Sequence, residues 1–283
     1  MRNIHQSNID FESHYRNCVN GKGEPTKSQL LSCIDTLLSL YQQYNTLGNQ
    51  RALYRLPLLL ATDIAPATKK TLKMLYDERM ARNGAPGRNV YDKLLEAAAM
   101  TCPFCGHGIP TTLDHYLSKG IEQYPELSIA PNNLVPACKD CNHAKGTHVP
   151  SNIEDQYWHP YFENADQYLW LGARLEYSLS QEVTVTYFVS GAITDADIKN
   201  RIEFQFNSLR LNRLYSKQAA TEISGIEPLL RNTTFPSEGA DGIRQYAIEQ
   251  ANARSSVHQN SWQAALYRCL ASDTQFHRMD WIL

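Results

Sequence analysis

The hydrophobic pattern changes period several times along the chain, and each change marks an element. Residues 1–25 are mostly polar and close on the turn cluster Asn20-Gly21-Lys22-Gly23-Glu24-Pro25. Leu30, Leu31, Ile34, Leu37, Leu38, Tyr41 and Tyr44 then recur at helical spacing. They predict an amphipathic helix over 28–47, capped by Thr26 or Ser28 and ended by Gly48, with its apolar face in the core. A second helix is expected over 67–82, between Pro66 and Asn83-Gly84. Beyond a loop ending at Arg88, Asn89 caps a short helix over 90–100.

Downstream, residues 168–179 and 182–190 alternate, as in Val183-Thr184-Val185-Thr186-Tyr187, and predict a β-hairpin turning near Ser180-Gln181. Thr194-x-x-Asp197 resembles a capping box, and Ile198, Ile202, Phe206 and Leu209 mark a helix to about Tyr215. Further helices follow, one with Trp262, Leu266, Cys269 and Leu270 on a single face. The end, Met279 to Leu283, is apolar and is expected to dock on the core or on a partner. The cluster Tyr157-Trp158-His159-Pro160-Tyr161-Phe162 reads as packing, with a role for His159 in a site as the alternative.

A chain of 283 residues with 42% hydrophobic and 20% charged positions folds as one large domain or two modest ones. The elements make the fold class α+β, mostly helical. A formal net charge of -2 means that any phosphate-binding surface is a local patch. Two candidates are Lys69, Lys70, Lys73, Arg79 and Arg82, which otherwise form a solvated face, and Arg88 in its Pro-Gly loop. The longest apolar run, Leu56 to Ala61, is too short to span a bilayer, and with no signal-like segment a cytoplasmic location is expected.

The chemistry concentrates between Cys102 and His148. Cys102-Pro103-Phe104-Cys105 and Cys138-Lys139-Asp140-Cys141 are two Cys-x-x-Cys pairs, a spacing suited to a closed tetrahedral zinc site. Disulfides are the alternative, and they need an oxidising compartment. Cys18, Cys33 and Cys269 remain as plain thiols. Between the pairs, Thr111-Thr112-Leu113 is β-prone and should carry Asp114-His115 on a strand. Residues 138–145 have no breaker before Gly146 and read as a short helix bearing Asn142.

With Asn132-Asn133-Leu134 before the third cysteine and Cys141-Asn142-x-x-Lys145-Gly146 after it, the stretch from about Tyr91 to His148 resembles the HNH endonucleases of the His-metal-finger superfamily. The resemblance implies a ββα-metal finger closed by structural zinc. It implies His115 as the general base, Asp114 as a ligand of a divalent ion, Asn133 as a brace for the loop holding the base, and Asn142 as a second ligand. Asn at the third motif position departs from the His of the family name, and His143 and His148 are further candidates near it. A neutral imidazole can take a proton at pH 7, and a shell of few oxygen ligands suits Mg²⁺ or Mn²⁺.

The chain is therefore expected to divide into a helical region over 1–88, a nuclease finger over 89–150 and an α+β region over 151–283. The expected function is metal-dependent hydrolysis of DNA, most simply double-stranded. By analogy with compact bacterial HNH proteins it would serve phage defence, with an ATPase, a sensor or a second copy as partner. The alternatives are a non-catalytic zinc-dependent module that binds nucleic acid or protein, and an RNase.

Overall fold

The computed structural model describes residues 1–56, 64–178 and 183–279. The chain forms two compact units, Met1–Ala165 and Asp166–Leu283. The helical N-terminal region and the cysteine-framed segment share the first unit, with no division at residue 88 or 150. They share it because the N-terminal helices supply the floor on which that segment is built.

The first unit opens with helix α1 (Phe11–Val19), which the polar composition of residues 1–25 did not announce. Asp10 caps it through the Ser13 amide at 2.9 Å, and Phe11, Tyr15, Cys18 and Val19 bury one face. The helix expected over 28–47 is two: α2 (Thr26–Leu31) and α3 (Ile34–Asn49), broken at Ser32-Cys33. The apolar spacing runs through the break, so the sequence gives no sign of it. The buried face of α3 carries Ile34, Leu37, Leu40 and Tyr44. The helix expected over 67–82 is α4 (Pro66–Leu75), continued by one π-helical turn over Tyr76–Ala81. Next, α5 (Arg88–Glu96) starts after Gly87 rather than Asn89.

Two strands follow, β1 (Thr112–His115) and β2 (Leu134–Ala137), then helix α6 (Lys139–Lys145). The strands are antiparallel, with Asp114 opposite Val135 and His115 opposite Leu134. Leu113 on β1 and Leu134 and Val135 on β2 are buried.

In the second unit, β3 (Leu171–Tyr177) and β4 (Val183–Val189) form the expected hairpin; its turn at Ser180-Gln181 lies outside the described residues. The helix expected to Tyr215 is α7 (Ala196–Ser208) and α8 (Leu211–Leu229), separated where Arg210 takes a left-handed φ of 53°. Asp195, not Thr194, caps α7 by accepting from the Ile198 amide at 3.1 Å. The unit is completed by α9 (Phe235–Val257), kinked at Gly239, α10 (Trp262–Ser272) and α11 (Thr274–His277). The hairpin packs on α8 and α10, and Tyr187 meets Tyr215 edge-on at 5.4 Å between ring centres. Beyond Met279 the apolar end lies outside the described residues. No helix among the described residues is long and apolar enough to cross a membrane.

Candidate functional site

The four cysteines predicted to share a metal are brought together. The Sγ atoms of Cys102, Cys105, Cys138 and Cys141 lie within 4.8 Å of one another, and Cys105 and Cys138 are 4.0 Å apart. A tetrahedral zinc–thiolate site has sulfurs about 3.8 Å apart, from bonds of about 2.3 Å. The first pair is shaped by backbone turns: the Gly106 amide bonds the Cys102 carbonyl at 2.7 Å, and the Gly108 amide points at Cys105 Sγ at 3.2 Å. Gly106 has φ 63°, a value glycine adopts without strain. At Gly108 an added Cβ would lie 2.8 Å from Cys138 Cβ, so only glycine lets the second pair approach.

Four thiolates this close repel, and the thiols divide accordingly. Cys102 is pushed up, first by its hydrogen bond to Cys105, and Cys141 is pushed up by its bond with Cys102. Hydrogen bonding from Cys102 draws Cys105 down and brings Cys138 to about 7. A divalent cation among them would release the remaining protons. The donor set, buried and all sulfur, can hold a single structural metal such as zinc.

Asp114 and His115 end strand β1, both inside the unit, at 5% and 8% exposure. The imidazole Nε2–H donates to the Ser128 carbonyl at 2.8 Å, which leaves Nδ1 as the basic nitrogen. Burial lowers the His115 pKa to about 3, with the Lys119 charge adding to the effect, so the ring is neutral throughout the physiological range. The Tyr76 ring stands edge-on to it, 4.5 Å between centres, and the Tyr76 hydroxyl donates to the Leu113 carbonyl at 3.0 Å. The Ser128 carbonyl and the Tyr76 ring thus hold the imidazole at two places, and the Leu113 bond anchors the Tyr76 ring in turn.

Asn133 is fully buried and ties together the loop between the strands. Its Oδ1 accepts from the Leu117 amide at 2.7 Å, and its Nδ2 donates to the carbonyls of Leu117 at 2.9 Å and Leu127 at 3.1 Å. The Leu127 peptide adjoins Ser128, the residue that orients His115. Asn133 therefore acts on the imidazole through the loop.

Lys145 was quoted in the motif but given no role by sequence. It is 3% exposed, and its ammonium donates to the His115 carbonyl at 2.7 Å and lies 3.2 Å from Asp114 Oδ2. That approach is an ion pair off hydrogen-bond geometry, so Oδ2 is a buried oxygen with no hydrogen-bond donor. Burial raises the Asp114 pKa, against the pull of Lys145. Asn142 lies three residues before Lys145, and i,i+3 positions share a face, so its half-buried side chain lies on the side of α6 that Lys145 turns to β1.

Other candidates go elsewhere. His159 accepts the Tyr161 amide at Nδ1 and meets the Tyr44 hydroxyl through Nε2 at 2.9 Å, and Tyr44 donates to the Asn132 carbonyl, so His159 braces the packing as expected of the aromatic cluster. The His148 ring donates to the Asp155 carbonyl at 2.7 Å, and His143 is exposed on α6. Of the basic run, Lys69 pairs with buried Glu126 at 3.0 Å, and Arg79 donates to the carbonyls of Cys18 and Asn20 at the end of α1. Arg88 closes its own loop on the Ala81 carbonyl, Asn83 and Asp92.

The chain is similar to a phage protein. It is 26% identical to protein ea31 of Escherichia phage lambda over 275 residues, covering 89% of this chain and 90% of that one. No protein-family model matches the chain, and no solved structure matches it. The alignment spans both compact units, so the resemblance concerns the whole two-unit chain and not the cysteine frame alone.

Proposed function

We propose that this protein is a metal-dependent endonuclease of the HNH kind, built on a ββα-metal finger and acting on the phosphodiester backbone of DNA. One observation supports this above the others: within a frame closed by four thiols, one short strand carries in succession a buried carboxylate with an oxygen that accepts no hydrogen bond and a neutral imidazole whose Nε2–H is bound. A zinc knuckle serving only as a structural staple needs neither. His115 Nδ1 takes a proton from the attacking water, while the Ser128 carbonyl holds Nε2–H and stabilises the charged ring that forms. Asn133 steadies the loop that carries Ser128 by donating to the neighbouring Leu127 carbonyl. Asp114 and Asn142 would hold Mg²⁺ or Mn²⁺, the donors being Asp114 Oδ2, which accepts no hydrogen bond although the Lys145 ammonium lies 3.2 Å away, and the side chain of Asn142 on α6. Such an ion, when bound, neutralises charge on the phosphate and the leaving oxygen.

A second reading, a non-catalytic zinc-dependent binding module, draws support from the same residues. Lys145 already balances the charge of Asp114, and both Asp114 and His115 are nearly inaccessible. Incubation with supercoiled plasmid and Mg²⁺ or Mn²⁺ separates the two. Nicking that stops with EDTA and falls about 10²–10⁴-fold in His115→Ala is the expected result. Plasmid left intact by wild type would favour the binding module, and cutting of RNA alone would make the protein a ribonuclease. Similarity to a phage-encoded protein gives a role in bacterial defence no added support.

A further inference from the structure

Lys119, Tyr76 and His115 form a cation–aromatic–imidazole series, in which Lys119 has so far been given no ligand to bind. The Lys119 ammonium sits over the Tyr76 ring at 4.3 Å from its centre, and that ring meets the His115 ring at 4.5 Å. Added end to end, these place the ammonium no more than 8.8 Å from the imidazole centre (4.3 + 4.5). Lys119 is held there by both carboxylate oxygens of Asp77, each at 2.8 Å. The two partners differ in setting: the Lys119 side chain is 19% exposed, whereas that of Asp77 is 63% exposed. Asp77 belongs to the π-helical turn over Tyr76–Ala81, a distortion often found where a helix serves a site. Burial disfavours the Lys119 cation, Asp77 opposes that effect, and Lys73 on α4 adds a smaller positive charge that reinforces it.

We propose that Lys119 binds a backbone phosphate of the substrate next to the reacting centre, and that the Asp77 carboxylate occupies this anion position until nucleic acid displaces it. The inference rests on the nuclease reading for its substrate. A solvent-exposed carboxylate is a weak partner, screened by salt and costly in side-chain freedom. A polyanion arriving with its condensed counterions competes well against it. The Tyr76 face holds the ammonium in place through the exchange. The overall charge of -2 then ceases to be an obstacle, because binding requires only one acidic side chain to give way.

The two residues should therefore act in opposite directions on nucleic-acid affinity. The test uses the full chain and a short DNA duplex, with Ca²⁺ in place of Mg²⁺, over a salt series. Asp77→Asn should tighten binding about threefold to tenfold. Lys119→Met should weaken it by a similar factor and reduce the slope of log affinity against log salt by about 0.9, the loss of one phosphate contact. Lys119→Arg, which keeps the charge, should restore most of the affinity. A purely structural salt bridge predicts instead that both losses act alike. If plasmid is cut but the two variants shift together or not at all, the anion site is wrong and the nuclease reading stands. Opposite shifts with no cutting by wild type would keep the anion site and remove the nuclease. Failure of the wild type to bind the duplex at all overturns both.

Discussion

The residue that organises the site is Asn133, because three hydrogen bonds converge on one amide with no solvent to replace them. Asn133→Ala leaves the Leu117 amide and the Leu117 carbonyl without this partner in the interior, at about 1–3 kcal/mol for each group, while the Leu127 carbonyl keeps the Ala130 amide. We expect a loss on the order of 3 kcal/mol or more, measured by urea denaturation, with activity reduced further because Ser128 no longer fixes His115. Lys145 is the counterpart on the helix. Lys145→Met isolates a buried carboxylate, and breaking such a pair costs about 3–5 kcal/mol. A variant as stable as wild type by the same denaturation would show that Asp114 is not held by this cation.

At the scale of elements, β1, β2 and α6 are too short to stand alone. The strands have four residues each and the helix seven, well below the length at which an isolated helix persists. Their cohesion comes from the four-sulfur cluster at one end and the Asn133 loop at the other. Cys138→Ser should therefore give protein with no bound zinc and loss of protection in β1, β2 and α6. Metal analysis finding about one zinc per chain in this variant, as in wild type, would refute the four-thiol site. The hairpin of the second unit contains none of these ligands and should keep its amide protection in the same variant.

For the molecule as a whole, one consequence follows from a buried histidine outside the site. Burial lowers the His14 pKa to about 4 from the ordinary 6.5. Below pH 6.5 the unfolded chain gains a proton that the folded chain refuses, so folding stability falls as pH drops from 6.5 towards 4. The full effect is on the order of 3 kcal/mol, at about 1.4 kcal/mol for each pH unit separating the two states. His14→Gln should flatten that part of the pH profile, read by amide exchange across Phe11–Val19. An unchanged slope would mean that His14 protonates inside the fold. The second unit has its own buried helix face and hairpin core, and its protection should be insensitive to this substitution.

Much of this protein is determined by its sequence alone. Local spacing placed the four cysteines in one cluster, Asp114-His115 on a strand, Asn142 on a helix and the alternating run in a hairpin, because periods of 2 and 3.6 and turn residues act over a few positions. Other features depended on partners distant in the chain. The break between α2 and α3 falls within an unbroken apolar pattern, and α1 was hidden because its capping and burial, not its composition, stabilise it. The resemblance gave Asn133 as a brace for the loop holding His115, but not its partners, the Leu117 amide and the carbonyls of Leu117 and Leu127, which only the fold supplies. Lys145 and Lys119 receive no role from the sequence, since lysine is rarely buried unless paired and their partners Asp114 and Asp77 lie 31 and 42 residues away. Arg79 and Arg88, which resembled phosphate contacts, are spent on backbone carbonyls. Short-range order could be read because its causes are neighbours in sequence. The fate of each charge could not, because desolvation and pairing are settled only when the fold brings two distant segments together.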